Sequence, residues 1–126
     1  MAKVLIAEDD PSIRALIRLT LDSGRFEILE AADGDAALRS ALAERPDLVF
    51  IDWNMPGRDG IDVCRALRRD PGTAGVKVVL VTAKSRPEER REALEAGADD
   101  YIVKPFSPLS LLDKVTEVLG PKALAE

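Results

Sequence analysis

Five short apolar runs, each followed by a helical pattern, predict an α/β fold: a parallel sheet with helices on both faces. Three observations carry that expectation. The runs at residues 4–7, 26–29, 48–51, 76–81 and 101–103 are wholly or mostly apolar, without the polar alternate face of a half-exposed strand. The stretches between them place apolar residues at three- and four-residue spacing and carry capping residues at their ends. The β-α order repeats five times, which makes an open sandwich of helices on a sheet.

The first run, Val4-Leu5-Ile6-Ala7, leads to Asp10-Pro11, a capping carboxylate and a first-turn proline. Ile13, Leu16, Ile17 and Leu21 then share a helix face, and Gly24 ends it. After the second run, residues 35–44 are rich in Ala and Leu. They stop before Pro46, whose ring disfavours a helical residue ahead of it. After the third run, residues 59–69 put Ile61, Cys64 and Leu67 on one face. Arg65, Arg68 and Arg69 on the same segment read as a solvated face. After the fourth run, Ser85-x-x-Glu88 reads as a capping box with Pro87 inside it, and Gly97 as the C-terminal cap. That helix, 86–96, offers Ala93, Leu94 and Ala96 for packing and is otherwise mostly Glu and Arg. It is expected to be the least firmly held. After the fifth run, Ser107-Pro108 opens a helix with Leu111, Leu112, Val115, Val118 and Leu119 on its stripe, closed by Gly120-Pro121.

The chain has 126 residues, suited to one domain, with the pattern covering about 3–120 and a short tail at 121–126. It is 46% hydrophobic and 33% charged, with a net charge of −5. That balance argues against a nucleic-acid surface. There is no histidine, which removes Ser-His-Asp and Cys-His catalysis and imidazole-bound zinc. Cys64 is the sole cysteine. It cannot form an internal disulfide, fits a reducing compartment, and reads as a core thiol. The run 4–7 is too short for a signal core or a membrane span. The expectation is a cytoplasmic protein without a membrane partner.

Ligands of open parallel sheets bind at the carboxyl ends of the strands. The first run ends in Glu8-Asp9-Asp10, the third in Asp52, the fourth in Thr82 and the fifth in Lys104-Pro105. The second ends in Glu30-Ala31-Ala32 and is given no role. If Asp9, Asp10 and Asp52 converge, three carboxylates face one ammonium, and one must protonate unless a cation joins them. All are hard oxygen ligands, which selects Mg²⁺ or Mn²⁺ and suits phosphate chemistry. Asp52 stands alone and is the candidate nucleophile for an acyl phosphate. Asp9 and Asp10 read as the metal-holding pair. Asp10 also stands where an N-cap belongs, and it can serve as both. Thr82 can donate to a phosphoryl oxygen and Lys104 can neutralise its charge. Trp53 reads as semi-exposed beside the site.

These residues also form a known pattern. Glu8-Asp9-Asp10, Asp52-Trp53-Asn54-Met55-Pro56 with Asp59-Gly60, Val81-Thr82-Ala83 and Tyr101-Ile102-Val103-Lys104-Pro105-Phe106 resemble the receiver domain of bacterial response regulators. They resemble the single-domain chemotaxis regulator type in particular. The run 97–101 also resembles receivers of winged-helix transcription regulators, which keeps open a fragment of a longer regulator.

The resemblance implies a doubly wound sheet of order 2-1-3-4-5 and a cis Lys104–Pro105 bond. It implies that Asp52 is the phosphoacceptor. Asp10 and Asp52 would bind Mg²⁺ directly with the carbonyl of Asn54, and Asp9 through a metal-bound water. Thr82 and Lys104 would contact the phosphoryl group, Tyr101 would be the switch aromatic, and Asn54 and Lys84 would tune phosphoryl lifetime. The donor would be a sensor histidine kinase or histidine phosphotransfer protein. A downstream protein would bind the face made by the last two helices and the fifth strand. The expected role is a phosphorelay switch rather than a turnover enzyme. A metal-dependent phosphatase with an aspartate nucleophile is the competing class, but it places D-x-D after its first strand. A flavodoxin-like FMN carrier would find its phosphate repelled by Glu8-Asp9-Asp10.

Overall fold

The computed structural model describes residues 1–124. In chain order it has β1 (Ala2–Ala7), α1 (Pro11–Leu21), β2 (Phe26–Ala31), α2 (Gly34–Glu44), β3 (Leu48–Asp52), α3 (Gly60–Arg69), β4 (Lys77–Thr82), α4 (Pro87–Glu95), β5 (Asp100–Val103) and α5 (Pro108–Leu119). The strands are parallel, in the order β2-β1-β3-β4-β5, as the resemblance implies. Ala7 lies opposite Ala31 and Ile51, Asp52 opposite Val81, and Thr82 opposite Val103. This register ends the strands along one edge, so the residues that follow them meet there.

Strand alternation divides the core into two layers. Leu5, Val49, Ile51, Val78 and Leu80 face one layer with Ala37, Ala41, Ile61, Cys64 and Leu67. Val4, Ile6, Phe50 and Val79 face the other with Ile17, Leu21, Leu111 and Val115. The inner strands are therefore apolar on both faces, which is why they read as unbroken apolar runs. Burying each such side chain contributes roughly 1.5–3 kcal/mol, and the helices supply the cover. No helix among the described residues is long and apolar enough to cross a membrane.

Helix starts differ from the sequence reading in two places. α2 begins at Gly34, because Asp33 accepts from the Ala36 amide at 2.7 Å. α4 begins after Arg86 rather than after Ser85: Glu89 accepts from the Arg86 amide at 3.1 Å. A guanidinium has no acceptor, so this helix has half a capping box. Residues 121–124 form a 3₁₀ turn that packs Ala123 against the core, so this part of the tail is folded. Residues 125–126 of the expected tail lie outside the described residues.

α4 is thinly held, as its composition predicts. Ala93 is its buried residue and Leu94 is largely exposed. Its C-terminal end is pinned from α3. The Cys64 thiol donates to Ala96 O at 3.4 Å, and Arg68 Nε donates to Gly97 O at 2.9 Å. Arg68 also donates to Ala74 O and Val76 O and pairs with Asp99 at 2.9 Å. The expectation of a solvated Arg68 is thus corrected: its guanidinium knits three chain segments together. Gly97 is needed there, with φ of 104° and an added Cβ only 2.7 Å from Arg68 Cγ.

Burial pushes the Cys64 thiol up to about 11. Thiolate is the reactive form. Cys64 is therefore expected to resist dithionitrobenzoate at pH 8 in the folded protein and to react within minutes in guanidinium. Rapid native-state colour development would contradict its placement.

Candidate functional site

Glu8 and Asp9 follow β1, Asp52 ends β3, Thr82 ends β4 and Lys104 follows β5. Asp52 is buried. The Asn54 amide donates to its Oδ1 at 3.2 Å, and Lys104 Nζ lies 3.2 Å from its Oδ2. The same ammonium lies 3.1 Å from Glu8 Oε1. The Lys104 amide donates to Thr82 O at 2.7 Å, which fixes the lysine backbone to β4. The Lys104–Pro105 peptide is cis. Thr82 is buried, and its Oγ1 accepts from the Lys84 amide at 2.9 Å. Behind Asp52, the Gly60 amide donates to Trp53 O at 2.8 Å. An added Cβ on Gly60 would stand 2.7 Å from Asp52 O, so glycine lets α3 start directly against the Asp52 backbone.

Carboxylate oxygens of Glu8, Asp9 and Asp52 lie within 4.8 Å of one another. Like charges at that distance repel by roughly 3–4 kcal/mol at a near-surface dielectric. Glu8 is 1% exposed. Its Oε2 accepts from the Asp10 amide at 3.1 Å, while Oε1 is buried without an aligned hydrogen bond and lies 3.1 Å from Lys104 Nζ. Burial first, then the neighbouring Asp52, pushes the Glu8 carboxyl up to about 7. For Lys104, burial opposes the charge, but Glu8 and Asp52 outweigh it and raise its pKa. Three carboxylates against one ammonium leave negative charge that a small hard cation can offset. The donor set is all oxygen, so the residues fit Mg²⁺.

The family model for the response regulator receiver domain matches residues 4–116. The chain belongs to this family. Its members act in two-component signalling, where receivers accept phosphoryl groups from histidine kinases. The receiver is 39% identical over 116 residues to the phosphate regulon transcriptional regulatory protein PhoB of Pseudomonas aeruginosa, covering 92% of this chain and 51% of that protein. It thus spans about half the length of that relative. Among solved structures, the chemotaxis response regulator CheY4 of Vibrio cholerae superposes with a TM-score of 0.89 at 36% identity, covering 94% and 98% of the two chains. The receiver domain of sensor histidine kinase PA1611 from P. aeruginosa superposes with a TM-score of 0.86 at 30% identity, covering 94% and 98%. That structure holds a magnesium ion coordinated in the active site cleft.

The receiver brings Asp9, Asp52, Thr82 and Lys104 to one edge, and it uses Asp10 as a helix cap. Its Oδ1 accepts from the Ser12 amide at 2.8 Å and the Ile13 amide at 3.4 Å, capping α1. It is not among the converging carboxylates, and Glu8 is. The signal was in the sequence: Pro11 sits at the first helical position, so the residue before it must cap. The carboxylates clustered with Asp52 are those of Glu8 and Asp9. Trp53 is corrected, being buried at 3% exposure. Asn54 is exposed, and Tyr101 is half-buried with Arg90 4.8 Å over its ring. At the end of β2, Glu30 pairs with Arg14 at 3.2 Å and Arg18 at 2.7 Å. Arg14 in turn donates to Glu8 O at 2.8 Å, which steadies the acidic turn.

A carboxyl raised from 4.5 to about 7 on folding binds more protons in the native state between those values. Stability in a metal chelator should therefore fall as pH rises from about 5 to 7. Glu8→Gln should flatten that slope in urea melts taken across this range. An unchanged slope in the variant would show that Glu8 does not titrate as its burial implies.

Proposed function

We propose that this receiver accepts a phosphoryl group on Asp52 with Mg²⁺ held by Asp9, Asp52 and the backbone carbonyl of Asn54. The observation that carries this reading is the Asp52 carboxylate itself. It is buried at the end of β3, with the Asn54 amide on one oxygen and Lys104 on the other. Bound Mg²⁺, or Mn²⁺ in its place, supplies charge neutralisation to the carboxylates and to the incoming phosphoryl oxygens. The acidic pair is Glu8 and Asp9 in this reading, and Asp10 is released to its capping role.

The residues of the chain divide the work. A carboxylate oxygen of Asp52 attacks phosphorus, and the bond from phosphorus to the donor's imidazole nitrogen breaks with its electrons leaving on nitrogen. The donor is a sensor histidine kinase or a histidine phosphotransfer protein. Lys104 stays protonated beside both carboxylates and neutralises charge on the phosphoryl group. The Thr82 hydroxyl donates its hydrogen to a phosphoryl oxygen, while its oxygen accepts from the Lys84 amide. Tyr101, three residues before Lys104 on β5, follows the change, and the face of α4, β5 and α5 alters its affinity for a cytoplasmic protein partner. Phosphorylation acts here as a local charge change read by a thinly packed element. In this reading the receiver domain is 1–126 with its core at about 3–120, and it works as a stoichiometric switch rather than a turnover enzyme. A second reading, a receiver within a longer transcriptional regulator, is favoured by the half-length match to PhoB.

Incubation with radiolabelled acetyl phosphate and Mg²⁺ should label the protein, and Asp52→Asn should abolish the signal. Label retained by that variant would sink the assignment. Asp9→Ala should weaken Mg²⁺ binding at least tenfold in Trp53 fluorescence titrations. Asp10→Ala should leave that affinity within about twofold and instead cost about 1 kcal/mol of stability in urea melts. The reverse pattern would restore Asp10 as the ligand.

A further inference from the structure

Lys84 makes two contacts that bear on Thr82. Its backbone N–H donates to Thr82 Oγ1 at 2.9 Å, and its Nζ lies 4.5 Å from the centroid of the Trp53 ring. Trp53 is nearly fully buried, and its own amide donates to Val81 O at 2.9 Å. The indole is thus a fixed platform at the end of β3 and β4, and the loop after β4 is tied to it through one ammonium. The segment beyond that loop is held thinly. α4 buries Ala93, is pinned at its C-terminal end by Cys64 and Arg68, and carries a second cation over a ring at Arg90 and Tyr101.

We propose that Lys84 is a positioning residue whose cation–π contact with Trp53 latches the loop after β4 in its resting arrangement, with the Thr82 hydroxyl oxygen tied to the Lys84 amide. A phosphoryl group on Asp52 draws on the same hydroxyl. Movement of Thr82 towards that group carries the Lys84 backbone with it through the same hydrogen bond and strains or breaks the stack on Trp53. The latch therefore opposes the phosphorylated state, and weakening it favours that state. This consequence rests on Asp52 being the phosphoacceptor, whereas the latch itself is a property of the unmodified protein.

The test uses Lys84→Met, which keeps an apolar stem and removes the cation, and Lys84→Arg, which keeps a cation able to stack. Trp53 is the sole tryptophan, so its acrylamide quenching reports the resting latch without any ligand. The second readout is the affinity for beryllofluoride with Mg²⁺. Lys84→Met should increase quenching and tighten beryllofluoride binding by about two- to fivefold, the size of one partly exposed cation–π contact. Lys84→Arg should restore both values to near those of the parent. Unchanged quenching in Lys84→Met, weaker beryllofluoride binding in it, or failure of Lys84→Arg to restore either readout would overturn the latch. Absence of beryllofluoride binding in the parent protein would instead overturn the phosphoacceptor reading, and quenching would still decide the stack.

Discussion

Glu8 and Asp52 share one ammonium, Lys104, at the edge of a sheet whose interior is otherwise apolar. Buried carboxylates are costly unless paired, and here pairing is incomplete by design of the chain order. The acids come from the first and third strands and the cation from the fifth, so they meet only if all strands stay in register. The apolar strands supply that register, because a shift of one residue would turn buried side chains towards the wrong layer. The excess of negative charge over positive is what a small hard cation would offset. The rest of the molecule can be read as the scaffold that keeps this unbalanced set in place.

The two ends of the molecule's most weakly packed element have different anchors. The C-terminal end of α4 is tied by Cys64 to Ala96 O and by Arg68 to Gly97 O, contacts made by buried or half-buried groups. Its N-terminal side is approached by Lys84 over Trp53 and Arg90 over Tyr101, contacts made by long side chains to aromatic faces. Each cation–π contact is modest, whereas the pinned end is knitted to α3 and the sheet. Motion is therefore cheapest at the end nearest Thr82. That places the less firmly tied end of α4 on the side of Thr82 and the pinned end away from it.

Much of the site was legible before any coordinates, and the reason is geometric. Parallel strands that are apolar throughout can offer polar chemistry only where they stop, so Asp52, Thr82 and Lys104 stand out by position. Three acids follow β1, and periodicity does not choose which of them cluster with Asp52. The Asp10-Pro11 step marks a cap, and Asp10 Oδ1 accepts from the Ser12 and Ile13 amides. Arg68 carried no comparable signal. Its acceptors are backbone carbonyls at Ala74, Val76 and Gly97, and carbonyls look alike in every sequence. The burial of Trp53 was hidden for a similar reason, because residues distant in sequence cover it.

The sequence by itself determined the alternation of strand and helix, the apolar character of the inner strands, and the polar residues that terminate them. These are local properties, set by side-chain type and spacing along a continuous segment. Only the tertiary structure decided that Glu8 rather than Asp10 clusters with Asp9 and Asp52, that burial pushes the Glu8 carboxyl up, and that Lys84 reaches Trp53. Those outcomes depend on distances between segments 30 to 100 residues apart in the chain, such as Lys84 and Trp53 or Glu8 and Lys104. Such distances are fixed by sheet register and helix packing, and no short window of sequence contains them.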